Sequence, residues 1–195
     1  MTAIKFMKAK IRIAQCSLNG FTLVETLAAV TILSIAIVGP IHLIGNSIHK
    51  IYYARDQVVA ISLAQEGIEM VRQVRDSNML SGGPWDTGIS NGTYTIDAGR
   101  FVSVALPATS NFIIPCVGCT TPQPVFIDMS AVGANSTNGL YRQSVSGPTS
   151  LTQFSRIVTI EPVTSDEIKV SSKVEWKTGG ETGTINISEY LFNLI

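Results

Sequence analysis

Between Gly20 and Gly45 the chain reads GFTLVETLAAVTILSIAIVGPIHLIG, and from Thr26 to His49 it contains no Asp, Glu, Lys or Arg. As a helix, about 24 residues rising about 1.5 Å each span about 36 Å, enough to cross a bilayer. A short basic leader precedes this stretch, with Lys5, Lys8, Lys10 and Arg12. One acid, Glu25, lies inside its leading edge. Hydrophobic residues make up 45% of the chain and charged residues 14%, against about 25% charged in an ordinary soluble domain. Much of the excess apolar content sits in residues 21–45, so the remainder has the composition of one modest globular domain.

Three readings of the stretch compete. A secretory signal needs a shorter apolar core followed by an A-x-A-like site, which this run lacks. A plain signal anchor fits the length and the basic flank, and it leaves the C-terminal bulk outside the cytoplasm. It does not explain Glu25, because a carboxylate near the end of an apolar span is costly unless neutralised, paired or at the interface.

The residues Gly20-Phe21-Thr22-Leu23-Val24-Glu25 resemble the processing motif of type IV prepilins and type II secretion pseudopilins. The similarity runs through the apolar stretch to about Asn46. In that family a membrane peptidase cuts after the glycine and methylates the new amine. The resemblance therefore implies a leader of residues 1–20, cleavage between Gly20 and Phe21, N-methylation of Phe21, and pairing of the Phe21 amine with Glu25 of a neighbouring subunit. Gly20 suits close approach by a protease because it carries no side chain. The implied partners are other pilin subunits, the prepilin peptidase and methyltransferase, and an inner-membrane assembly platform. The implied location is the cytoplasmic membrane, single-pass with a cytoplasmic N-terminus, and afterwards an extracellular pilus or a periplasmic pseudopilus. Gly39-Pro40 predicts a kink or local melting near residues 36–41; Pro40 stands two positions earlier than is usual in the family.

From Ser47 to Asn78 the composition turns mixed. Ala54, Val58, Ile61, Ala64, Ile68 and Val71 recur at intervals of three and four, which predicts one helix face packed against a sheet. The helix should stop near Asn78, before Ser81-Gly82-Gly83-Pro84, so residues 22–78 form one long helix. The run from Ala64 to Asn78 also resembles the second half of the long helix in PilV-like minor pilins. Gly67 at mid-helix costs about 1 kcal/mol relative to Ala, which points to close approach by a neighbour.

Beyond the helix, Gly92–Asp97 alternates like a strand, and residues 107–150 are rich in Pro, Ser, Thr, Asn and Gly, with short strands at 125–128 and 139–144. Three clearer strands follow at 155–161, 167–177 and 184–192. The fold expected is α+β: a long N-terminal helix, with a transmembrane half at 21–46 and an amphipathic half at 47–78, packed against a C-terminal antiparallel sheet within 79–195.

Cys116-Val117-Gly118-Cys119 has three readings. A redox site wants a helix N-terminus near a βαβ unit. Zinc wants two more ligands, and the only histidines are His42 and His49. A disulfide suits the extracytoplasmic side and closes a small loop. Cys16 lies in the leader. No catalytic constellation stands out: after His49 there is no histidine to act as a base. Asp166-Glu167 reads as a solvated turn, and Asp128, Asn135 and Asn138 match no calcium loop. No cofactor or metal is expected. All 14 acids lie after Gly20, and the chain beyond it carries 10 basic residues, a net charge of −4; a polyanion-binding surface is not indicated. Taken together these features read as a minor pilin, a structural subunit. The alternatives are a minor pseudopilin of a type II secretion system, or a signal-anchored binding protein that never assembles.

Overall fold

The structure is a computed structural model that describes residues 20–98, 112–129, 138–144 and 147–193. The chain divides between Ser47 and Ile48 into two units. One helix, α1, covers Leu23–Leu80, close to the expected 22–78, and remains helical through Pro40. The melting expected at 36–41 is absent: each residue there is helical. Proline removes only one backbone bond, and the flanking turns of Val, Ile and Leu keep their own.

In the first unit the large apolar residues Leu23, Leu27, Val30, Leu33, Ile37 and Ile41 are all exposed, and an 18-residue window long and apolar enough to cross a membrane has none of its residues buried.

The second unit is a sheet with the rest of α1 laid on one face. Its strands are β1 (Gly92–Ile96), β2 (Ile113–Pro115), β3 (Gln123–Asp128), β4 (Tyr141–Arg142), β5 (Thr149–Thr164), β6 (Glu167–Thr178) and β7 (Glu181–Phe192). All pairings are antiparallel. The meander β5–β6–β7 is the expected one. Thr178 pairs Glu181 across a two-residue turn, and Gly179 holds φ +61, as a first turn position of this kind requires. β5 is the hub. One edge pairs β6 from Phe154 to Thr164. The opposite edge pairs β3 along its first half and β1 at Val158–Ile160, so β1 and β3 lie end to end. Residues 107–150 hold more strand than expected: β3 begins at Gln123, and β2 was not anticipated. Three-residue strands carry too little periodicity to be seen and exist through distant partners such as Tyr94↔Pro115.

α1 stops as its sequence dictates. Gly82 takes φ +71; Gly83 N–H donates to Asn78 O and Gly82 N–H to Met79 O, each at 3.1 Å. This is the Schellman arrangement that satisfies the last carbonyls.

The buried face of α1 consists of Ala60, Leu63, Ala64, Ile68, Val71 and Val74. It forms two clusters: Ile68, Val71 and Val74 against Tyr94, Ile96, Val158, Ile160 and Val170, and Ala60, Leu63 and Ala64 against Val125, Phe154, Val174 and Trp176. The expected stripe is therefore half right. Ala64, Ile68 and Val71 face the sheet, whereas Ala54 and Val58 are exposed, because before Ala60 the contact line runs through Tyr53, Asp56 and Val59: Tyr53 meets Trp176 at 5.7 Å, Asp56 accepts from Thr178 Oγ1 at 2.6 Å, and Val59 packs on the second cluster.

Gly67 sits between the clusters. A Cβ there would lie 2.7 Å from Ser172 Oγ and 2.9 Å from Val158 Cγ2, inside van der Waals contact. Ser172 Oγ is itself buried without a hydrogen-bond partner among the described residues. Gly67→Ala should therefore lower stability by about 1–3 kcal/mol through overpacking, although helix propensity alone favours Ala by about 1 kcal/mol. Adding Ser172→Gly should recover part of the loss. Urea unfolding of the chain in neutral detergent measures both; a higher midpoint for Gly67→Ala would refute the close approach.

Candidate functional site

The processing motif lies at the start of α1. Gly20 and Phe21 precede the helix, and Phe21 is 80% exposed. Thr22 is the N-cap. Its Oγ1 accepts from Glu25 N–H at 3.2 Å, and its carbonyl accepts the first helical bond, from Thr26 N–H at 3.1 Å. Thr22-x-x-Glu25 has the spacing of a capping box, a signal legible in the sequence that the expectation did not use. Glu25 is the acid of the first turn, where negative charge complements the helix dipole. Among the described residues its exposed carboxylate has no ion-pair partner. The segment thus presents, in order, a side-chain-free residue, an exposed aromatic, a cap and a lone carboxylate at the head of an apolar surface. Gly39 and Pro40 lie exposed within α1; Cys16 lies outside the described residues.

The second unit contains ionic groups that the sequence analysis did not single out. Arg156 is fully buried. It donates through Nη1 to Leu63 O at 2.9 Å and to Glu66 Oε2 at 2.7 Å, through Nη2 to Ile96 O at 2.9 Å, and through Nε to Gln143 Oε1 at 3.0 Å. Burial lowers the Arg156 pKa, and the Glu66 carboxylate opposes that shift. The signal was strand parity: Phe154, Arg156, Val158 and Ile160 alternate toward the helix.

Gln143 completes the junction where β1 and β3 abut. Its amide accepts from Ile96 N–H at 3.0 Å and donates to Gln123 O at 3.1 Å and Arg156 O at 2.7 Å. It stands in for the backbone that a continuous strand would supply. Nearby, Arg142 bridges two buried acids: Nε donates to Asp97 Oδ1 at 3.0 Å and Nη1 to Asp128 Oδ2 at 2.7 Å. The hydrogen bond with Asp97 is the main reason the Arg142 pKa is raised, and Ser144 also donates to Asp97. Asp128 is thus engaged by a guanidinium. Among the described residues no group of three His, Cys, Asp or Glu could hold a metal.

Cys116 and Cys119 are joined in a disulfide just after β2. Cys116 N–H donates to Thr93 O and Thr93 Oγ1 to Cys116 O, both at 2.8 Å, and Val117 at the tip is 98% exposed. Asp166 lies in the β5–β6 turn, where its carbonyl accepts from Asn193 N–H at 2.9 Å. His49 belongs to a separate cleft.

Residues 19–39 match the family model described as the prokaryotic N-terminal methylation motif. The chain therefore carries a type IV pilin-type leader motif, which supports a pilin-like or pseudopilin-like structural subunit. No curated protein and no solved structure matches the chain.

Two outcomes follow from this geometry. Thr22→Ala should fray the first turn, at about 0.5–2 kcal/mol, whereas Thr22→Ser should keep it; amide hydrogen exchange at Glu25 and Thr26 in micelles separates the two. Arg156→Ala strips Glu66 and two carbonyls of their donor and should destabilise the second unit by about 3–5 kcal/mol. Arg156→Met with Glu66→Gln should lose markedly less, as read by thermal unfolding.

Proposed function

We propose that the chain is a type IV pilin-like structural subunit of the minor, PilV-like class. It is made with a leader of residues 1–20, cut between Gly20 and Phe21, methylated on the Phe21 amine, and carried by α1 into a pilus-like filament. The observation that carries this reading is the methylation motif at 19–39 set on a helix whose apolar residues are exposed from Phe21 to Ile44. Before assembly such a surface belongs in the cytoplasmic membrane, spanned once with the basic leader on the cytoplasmic side. Afterwards it belongs against the helices of other subunits. The peptidase and assembly platform are the partners this route requires, and the chemistry is theirs; the subunit itself is not an enzyme. On this reading residues 21–46 form the filament-core half of the helix, 47–78 its amphipathic half, and 79–195 the outward domain.

Glu25 takes the role of counter-ion to the Phe21 ammonium of a neighbour. A bend at Gly39-Pro40 eases passage out of the bilayer, and the Cys116–Cys119 bridge braces an outward loop on the oxidising side. A minor pseudopilin of a type II secretion system draws on the same motif and helix; the Ala64–Asn78 resemblance favours the pilin.

The N-terminal peptide mass from the native host tests the reading. The expected product begins at N-methylated Phe21, and a chain retaining residues 1–20 would overturn processing. Glu25→Ala should lower filament incorporation by about tenfold or more while the second unit keeps its fold by circular dichroism. Normal incorporation would refute the counter-ion role.

A further inference from the structure

The Cys116–Cys119 bridge spans a single turn after β2, where the two Cα atoms lie 5.5 Å apart. That turn has supports of its own. Cys119 N–H donates to Cys116 O at 3.3 Å, Gly118 takes φ +80, and Cys116 is held to β1 by its two hydrogen bonds with Thr93. A covalent ring over four residues removes little chain entropy that such a turn has not already removed. The bridge therefore braces a loop that stays closed when the S–S bond opens. Both cysteines are half-buried, and Val117 between them is almost fully exposed. A groove of about 290 Å³ runs beside the turn, lined by Ser90, Tyr94, Pro115, Cys116 and Val117 among others. Cys116 lines it and Cys119 does not, so a thiol entering there meets the Cys116 sulfur first. The bridge follows a strand rather than opening a helix. It lacks the helix N-terminus that acidifies the thiol of redox catalysts, which makes it a disulfide that is acted on rather than one that acts.

We propose that Cys116–Cys119 is a thiol–disulfide exchange site, reduced by a dithiol while the domain stays folded. The incoming thiolate attacks Cys116 Sγ, the S–S bond breaks, and Cys119 leaves as a thiolate. The second sulfur of the dithiol, also as a thiolate, then attacks its own partner sulfur in the mixed disulfide and expels Cys116. The two protons given up by the dithiol end on Cys116 and Cys119. Two electrons pass to the bridge, and the dithiol becomes a disulfide. The chain thereby alternates between a closed loop and one that displays two thiols beside the exposed Val117. This inference rests on the bridge and its groove, and neither leader cleavage nor assembly enters it.

The test uses the full chain with Cys16→Ser, which removes the third cysteine, in neutral detergent. Dithiothreitol is added to native and to urea-unfolded samples, and free thiols are counted over time by alkylation and mass. The native bridge should open at a rate within about tenfold of the unfolded one, and the circular dichroism of the second unit should survive full reduction. A native rate that instead follows global unfolding as urea is raised, or loss of the fold on reduction, overturns the proposal. Glutathione, a thiol with a single sulfur, locates the attack. The acid-quenched adduct should map to Cys116 by peptide mass, and an adduct confined to Cys119 overturns the groove as the point of entry.

Discussion

Water's treatment of the first half of α1 constrains everything else in this chain. Its large apolar residues are exposed from Phe21 to Ile44, and fully burying one such side chain is worth about 1.5–3 kcal/mol. Several of them together match the whole stability of a typical domain, about 5–15 kcal/mol. A segment of this kind is therefore defined by what covers it, lipid or other helices. The second unit has its own core in two clusters between helix and sheet, which leaves the first half of α1 free to exchange one apolar environment for another without drawing on the core.

That independence depends on a secure join between helix and sheet, and two different devices supply it. At Gly67 the absence of a side chain lets α1 approach Val158 and Ser172 closely. At Arg156 one guanidinium reaches the helix at Leu63 and Glu66 and the sheet at Ile96. The glycine sets the depth of contact and the arginine its register, since a helix slid by one turn would leave a buried cation unpaired. Arg72 adds a third tie, with two 2.6 Å contacts to the Glu189 carboxylate on β7.

Where the sequence carried a period, the fold was legible. The uncharged run, the turn signals at Ser81–Pro84 and the alternation of β5, β6 and β7 are local patterns. The capping spacing of Thr22 and Glu25 is equally local and was there to be read. The rest was hidden because it rests on pairings between distant residues. β2 exists through Tyr94↔Pro115; Arg142 is held by Asp97 and Asp128; Gln143 closes a gap between strands that are not neighbours in the chain. The phase of the helix stripe was lost before Ala60 because Val58 is as apolar as Leu63, yet there Tyr53 and Val59 make the contact with the sheet.

Glu25 links the two environments. As the first-turn acid it is favourable to the helix dipole in water or at an interface, and no cation among the described residues meets it. In an apolar surrounding an unpaired carboxylate is expensive. On the reading proposed above, cleavage after Gly20 creates a cation on Phe21, at the N-terminal edge of the same helix. There a positive charge alone would oppose the dipole. The acid that lacks a partner and the amine that lacks a favourable place therefore become complementary at the moment of processing, between copies rather than within one. Burial of the first half of α1 against other helices then costs least for chains that have been cut, which couples maturation to assembly through charge alone.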